Sequence, residues 1–462
     1  MRKGNGSLSI TVVTIFMIAI FSASLFAAEE VSGDVIAGNL AEEADEYLEA
    51  ATELERFSGS VLIARGEEVI FKRSYGMADR EHDVANTPKV KYRLGSVTKQ
   101  FTAMGILQLY EDGKLKLSDP VTDYIPGYED SRGITIFHLL THSSGLAEYT
   151  AFEGVGDRTK LPTTKNEIID SFWNKELRFS PGEKFSYCNS NYVLLGRIIE
   201  KASGQSYEKY IEKNIFSPLG MKDSGYDHPE IVLEDRAEGY VNIGGEIMNA
   251  SYIDPSFPSA AGALYSTVDD LHEWYLALTS GEVVDRTLWE EASSAQVDNY
   301  GYGFMEGNLY GYRRIYHGGT VNGFKTMINI FPDPDLTVIV LSNLETAEIE
   351  RINRDLSAIA FREEYEVPQP EEFIEIDGEI LESYTGKYAA GNGYTVEVSR
   401  EQGHLILSLM GQPKLEVFPL SETEFSPKGS GLVVEFKPGV DGNVSGMKVT
   451  QERRSLEAEK VN

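Results

Sequence analysis

Apolar residues recur at helical spacing from Leu40 to Leu54, which predicts an amphipathic helix. The pattern then changes to two apolar runs, Gly59–Arg65 and Val69–Tyr75, on either side of Gly66, which predict two strands joined by a turn. A mostly apolar run from Phe101 to Tyr110 follows Leu94-Gly95-Ser96 and is closed by Asp112-Gly113, a helix-stop signal. This run predicts a helix that lies buried in a domain rather than on its surface. A Pro181-Gly182 turn leads through a polar loop into a further helix with apolar positions 193, 194, 195, 198 and 199. Ser259 to Trp274 reads as a loop followed by a capped helix, and Arg313 to Phe324 as a strand carrying glycines. Thr326–Phe331 and Leu336–Leu341 read as adjacent antiparallel strands joined by Pro332-Asp-Pro-Asp335.

Near residue 362 the pattern changes again. Glu363 to Glu372 is acidic and carries two prolines, as linkers do. Beyond Leu381 come short alternating runs, Tyr394–Val398, His404–Leu409, Lys414–Phe418 and Leu432–Phe436, separated by Gly, Pro, Asn and Ser. They predict a small antiparallel barrel or sandwich. The expected organisation is therefore an N-terminal leader over 1–28, an α/β (α+β) domain over 34–362, a linker over 363–380 and a small β domain over 381–462.

Composition narrows the function classes. The chain has 462 residues and a formal charge of −31, from 42 Lys and Arg against 73 Asp and Glu. That excess argues against nucleic acid or an anionic membrane surface as partner. The single cysteine, Cys188, allows no internal disulfide and no multi-cysteine metal site. Arg2 and Lys3, the uncharged run from Ile10 and the small residues at Ala27 and Ala28 form a secretory signal pattern, which places the expected protein in the periplasm or outside the cell. An uncleaved membrane anchor fits the same residues. No metal or cofactor is expected: His138 and His142 stand four apart but lack the acidic companion of an H-E-x-x-H zinc helix, so packing and loop hydrogen bonds account for them better. No G-x-S-x-G elbow, phosphate loop or dinucleotide fingerprint is present.

The candidate chemistry lies at the start of the apolar helix. Ser96 and Lys99, three apart, share one helix face. A serine hydroxyl needs a base to become a nucleophile, and a buried lysine of lowered pKa can serve as one. The same S-x-x-K spacing occurs at Ser206/Lys209 and Ser445/Lys448. Ser206 reads as a helix cap and Ser445 as part of a Gly-rich turn, so only Ser96 opens a long apolar helix. Tyr187 and Asn189 precede a helix start, where side chains can project into a cleft; read blandly, Asn189 is an N-cap.

Taken together, Ser96-x-x-Lys99, Tyr187-x-Asn189 and His317-Gly318-Gly319 resemble, in order and spacing, the serine β-lactamase/penicillin-binding-protein superfamily. The branch most similar holds class C β-lactamases, D-alanyl-D-alanine carboxypeptidases, D-aminopeptidases and related esterases. Supporting stretches are Thr135–Leu146, Phe185–Tyr192, Ser217–Met221 and Gly262–Leu271. The likeness covers residues 50–345, and the tail is similar to the lipocalin-like barrel of some relatives. The resemblance implies an antiparallel sheet with packed helices and a helical subdomain. It implies that Ser96 forms an acyl-enzyme, that Lys99 and Tyr187 share the proton transfers, and that Asn189, His317, Gly318 and Gly319 bind substrate. Backbone N–H groups of Ser96 and Thr320 would form an oxyanion hole. The third motif departs from the usual Lys-Thr-Gly: His317 is no permanent cation, and Gly318 lacks a hydroxyl. Both changes weigh against β-lactam or D-Ala-D-Ala substrates and favour small esters, amides or peptides. A β-lactamase, a D-Ala-D-Ala carboxypeptidase and a non-catalytic penicillin-binding sensor are the competing readings.

Overall fold

The computed structural model describes residues 35–36, 38–125, 127–128, 132–152, 154–390, 395–409, 414–429, 431–439, 444–451 and 454–461. The expected leader over 1–28 and Tyr394 lie outside them. Among the described residues no helix is long and apolar enough to cross a membrane.

A seven-stranded antiparallel sheet organises the first part of the chain. Its strands are β1 (Val35–Ile36), β2 (Gly59–Arg65), β3 (Glu68–Tyr75), β4 (Met305–Leu309), β5 (Tyr312–Val321), β6 (Phe324–Phe331) and β7 (Leu336–Ser342). Their spatial order is β1-β3-β2-β7-β6-β5-β4, so strands from the two ends of the domain meet where β2 pairs with β7. The central strands are apolar on both faces because both faces are covered. Val338 and Val340 of β7 pack with α1 (Gly38–Glu53) and the C-terminal helix Ile349–Phe361, whereas Ile339 and Leu341 face the larger helical core on the other side. The period-2 alternation of a strand thus feeds two separate apolar cores.

Helix α2 (Thr98–Glu111) runs through the larger core and is buried around most of its girth, as its sequence predicted. A short 3-10 turn, Gly95–Val97, joins it to the chain before it and holds Ser96. Helix α3 (Ile136–Leu140) carries a capping box between Thr135 and His138, and helix α4 (Asn189–Ser203) packs along α2. Asn189 is the first residue of α4 rather than its cap; Cys188 occupies the cap position with no side-chain cap bond.

The C-terminal part is a closed barrel of eight antiparallel strands, from Gly386–Ala390 to Arg454–Val461. A helix, Gly378–Tyr384, begins inside the expected linker and places Leu381 and Tyr384 in the barrel core. Ser445 lies in a barrel strand, Val444–Gln451, and not in the turn expected of it, because the ladder with the neighbouring strand Leu432–Pro438 extends through the Gly-rich segment. The segment before the barrel and the barrel itself both touch the first domain. Arg56 pairs with Glu371 at 2.7 Å, and Gly429 and Gly431 lie against Asn242 and Glu348.

Candidate active site

Ser96 sits in its turn because Gly95 has φ +53, a left-handed conformation that glycine adopts without strain. A Cβ on Gly95 would also stand 2.8 Å from the backbone nitrogen of Thr320. The turn is thereby pressed against strand β5. From the other side, a Cβ on Gly319 would run into the Leu94 carbonyl and stand 3.0 Å from the Ser96 nitrogen. The two glycines let two backbones approach to a distance that no side chain permits.

The register of β5 decides which of its amides face this gap. A two-residue turn, Asn322-Gly323, makes Val321 and Phe324 a hydrogen-bonded pair. By alternation, Thr320/Lys325 and Gly318/Met327 are non-hydrogen-bonded pairs whose N–H groups point away from β6. On that outer side β4 pairs with β5 only as far as Tyr316, so the edge from 317 to 321 is open there among the described residues. The Thr320 N–H therefore faces the gap beside Ser96.

Lys99 is fully buried, and its ammonium nitrogen has three neighbours: Ser96 Oγ at 2.9 Å, Asn189 Oδ1 at 2.8 Å and the Ala261 carbonyl at 2.9 Å. The last two can only accept, so Lys99 must donate two hydrogens to them. The third direction faces the hydroxyl of Ser96. When Lys99 is neutral, its lone pair has that direction left, which aims it at the Ser96 proton. Burial lowers the Lys99 pKa to about 7, against a smaller opposing pull from the Glu148 carboxylate.

Tyr187 closes the second side. Its ring centroid lies 4.9 Å from Lys99 Nζ. Burial raises its phenol well above the usual range, while a hydrogen bond with the Ser96 side chain pulls the other way. The phenol is thus held protonated at the hydroxyl it contacts. Asn189 is fixed by Lys99 on its side chain and by Glu148, which accepts the Asn189 backbone N–H at 2.5 Å.

His317 is placed close to this group, with its ring 6.3 Å from that of Tyr187, yet it is only 3% exposed. Its Nδ1 lies 2.6 Å from the Gly318 carbonyl and must donate to it; Nε2 then accepts the Tyr300 hydroxyl proton at 3.1 Å. Burial and the nearby Lys99 charge lower its pKa to about 3, so the ring is neutral. Both nitrogens are engaged, and what this motif turns toward the gap is backbone. A Cβ on Gly318 would face Met327 on the opposite face of the sheet.

The site residues that the resemblance implied thus lie in one cluster: Ser96, Lys99, Tyr187 and Asn189 in direct contact, and His317 to Thr320 along its edge. Sequence reading missed Glu148, Tyr300 and the Ala261 carbonyl. Glu148 stands at no motif spacing, and a backbone carbonyl leaves no residue-type signal. Tyr300-Gly-Tyr-Gly303 is a glycine-bracketed aromatic run that gave no chemistry by itself. Among the described residues no group of three or more His, Cys, Asp or Glu could hold a metal ion.

The profile of the Beta-lactamase family matches residues 43–360 of this chain. "Penicillin-binding protein 4*" of Bacillus subtilis is 31% identical over 433 residues, which cover 87% of this chain and 95% of that protein. Among solved structures, the octameric penicillin-binding protein homologue from Pyrococcus abyssi is 28% identical with a TM-score of 0.63, covering 90% of this chain and 99% of its own. A D-stereospecific amidohydrolase from Streptomyces is 26% identical with a TM-score of 0.60, over 68% of this chain and 97% of that one.

Proposed function

The chain belongs to the Beta-lactamase family, the serine β-lactamase and penicillin-binding-protein superfamily of hydrolases, and from that premise we propose that it hydrolyses small esters, amides or peptides through an acyl-enzyme at Ser96. One observation carries this reading. Lys99 is buried, two of its three hydrogen-bond directions are taken by pure acceptors, and the third meets the Ser96 hydroxyl at 2.9 Å. An amine so placed is a base for one proton.

In this reading neutral Lys99 accepts the Ser96 proton as Oγ attacks the substrate carbonyl. The tetrahedral oxygen takes the N–H groups of Ser96 and Thr320, an arrangement in which one donor is typically worth about 3 kcal/mol. Tyr187, protonated and in contact with Ser96, passes a proton to the leaving group. Water then attacks the acyl-enzyme by the same groups in reverse. Asn189 orients substrate amide or carbonyl groups.

The neutral, engaged His317 offers no cation for a substrate carboxylate, which supports esters, amides and peptides that present no free carboxylate there over β-lactams and D-Ala-D-Ala termini. The likeness to a D-stereospecific amidohydrolase supports including D-configured amides in the substrate class. The leader pattern over 1–28 supports a secreted or periplasmic enzyme, and the acidic charge supports a small-molecule substrate rather than a nucleic acid partner.

Labelling with a fluorophosphonate, followed by mass mapping of the adduct, tests the assignment. The adduct is expected on Ser96 and lost in Ser96→Ala. A wild-type chain without adduct would favour the non-catalytic sensor, and ester turnover that survives Ser96→Ala would overturn the assignment. A panel of p-nitrophenyl esters, D-amino-acid amides, D-Ala-D-Ala peptides and nitrocefin then separates the substrate classes, with the first two expected to turn over fastest.

A further inference from the structure

His142, set aside on sequence as a packing residue, has features that packing does not require. It is wholly buried, yet its backbone adopts φ +55, a left-handed conformation uncommon for any residue with a side chain. Its imidazole lies among aromatic rings, 4.3 Å from Tyr187, 4.7 Å from Tyr300 and 5.1 Å from Tyr192 between centroids. Its hydrogen bonds bracket one residue. The Ser186 N–H donates to the His142 carbonyl at 2.9 Å, and the Cys188 N–H donates to His142 Nδ1 at 3.1 Å. The residue between those two amides is Tyr187.

We propose that His142 is the positioning residue for Tyr187: by accepting the amides on both sides of it, and by packing its tilted ring against the phenol ring, His142 sets where the phenol meets Ser96. This inference rests on the acyl-enzyme reading above.

The left-handed backbone has a geometric reason here. It turns the carbonyl and the side chain of one residue toward the same passing segment, so a single residue accepts from amides two positions apart. The tautomer is fixed as well. Asn191 Nδ2 donates to the same Nδ1 at 3.3 Å, while Asn191 Oδ1 accepts the Ser144 hydroxyl at 2.6 Å. Two N–H donors on Nδ1 leave the ring proton on Nε2, which is buried without a hydrogen-bond partner. A buried donor left unpaired is a cost, and a ring flip that relieved it would strip the acceptor from Cys188. Burial, Lys99 and His317 together lower the His142 pKa well below its ordinary value, so it is neutral and acts as a fixed acceptor rather than as an acid or base. Around it, the Arg178 N–H donates to the Gly145 carbonyl and the Gly182 N–H to the Ser143 carbonyl, both at 2.8 Å, so the segment 142–145 guides the whole approach of the chain to Tyr187.

The test compares variants that separate acceptor from ring, read by the fluorophosphonate labelling of Ser96 as its maximal rate and its half-saturating concentration. His142→Phe keeps a ring and loses the acceptor. His142→Asn keeps an acceptor atom at the same number of bonds from the backbone and tolerates left-handed φ. Expected is a fall of about 100-fold in maximal rate for His142→Phe, the scale of a 1 Å misplacement, with half-saturation changed less than about two-fold. His142→Asn should stay within about ten-fold of wild type, an acceptor's share of that same effect. In a Tyr187→Phe background His142→Phe should cost nothing further, because the residue through which it acts is already disabled. Where His142→Phe does not fold, His142→Asn is compared with His142→Ala per folded protein, and the Asn variant should be the faster by about ten-fold or more. The proposal is overturned if His142→Phe labels at the wild-type rate, if its loss persists undiminished beside Tyr187→Phe, or if Asn and Ala are equal. A wild-type chain that does not label at all would instead overturn the acyl-enzyme reading.

Discussion

At the scale of single residues, the site turns on the protonation of Lys99. Its pKa of about 7 in the folded chain lies below the ordinary 10.5, because burial disfavours the ammonium. The sign follows directly. Below about pH 7 the lysine is protonated and cannot take the Ser96 proton, so Ser96 acylation should rise as pH increases through that value. The same depressed value means that the cost of burying the charge is present below pH 7 and fades between 7 and 10.5, so Lys99 makes the fold gain stability with pH across that window. Glu148 raises the Lys99 pKa through its charge. Glu148→Gln keeps an acceptor for the Asn189 amide and removes the charge, and should move the rising limb to lower pH. A limb that stays in place, measured as labelling rate against pH, would remove Glu148 from the electrostatics of the site.

At the scale of elements, the decisive contact is between the 3-10 turn holding Ser96 and strand β5. Gly319 and Gly318 are neighbours of opposite consequence. A Cβ at 319 meets the Leu94 carbonyl, which is backbone and cannot move away cheaply, whereas a Cβ at 318 stands 3.2 Å from the flexible end of Met327. Gly319→Ala should therefore lower Ser96 labelling by about 100-fold or more, by pushing β5 and the Thr320 N–H away from the turn. Gly318→Ala should stay within a few-fold of wild type. Labelling rates alongside thermal unfolding check the pair; equal effects of the two substitutions would mean that β5 does not set the oxyanion geometry.

At the scale of the whole molecule, an ion pair ties the segment before the barrel to the first domain: Arg56 and Glu371, 2.7 Å apart, with Glu371 also accepting the N–H of Gly429 in the barrel. Glu371→Ala leaves the Arg56 charge in a half-dry place and should loosen the barrel's docking by about 1–3 kcal/mol. Limited proteolysis within residues 364–377 should then quicken while Ser96 labelling stays unchanged. Unchanged proteolysis would show that the barrel is held by other contacts.

Much of this architecture was legible in the chain. The apolar runs on either side of Pro332-Asp-Pro-Asp335, the apolar helix after Ser96 and the alternating runs beyond Leu381 each encode their element locally, because buried strands and helices need apolar residues over lengths and at intervals of their own. The spacing of Ser96 and Lys99 likewise fixed their shared face, since three residues make nearly one helical turn. What the sequence could not determine were meetings between distant segments. Nothing local says that the carbonyl of Ala261 takes a hydrogen of Lys99, that Tyr300 engages His317, or that His142 grips the amides around Tyr187. Those contacts span from 17 to 162 positions, and their partners are backbone atoms or common side chains that carry no signature of residue type. The tertiary structure decided them by bringing β5, α2 and the segment before α4 into one gap. There the exclusion of water gives a lysine, a phenol and an imidazole the protonation states that their sequence positions alone do not impose.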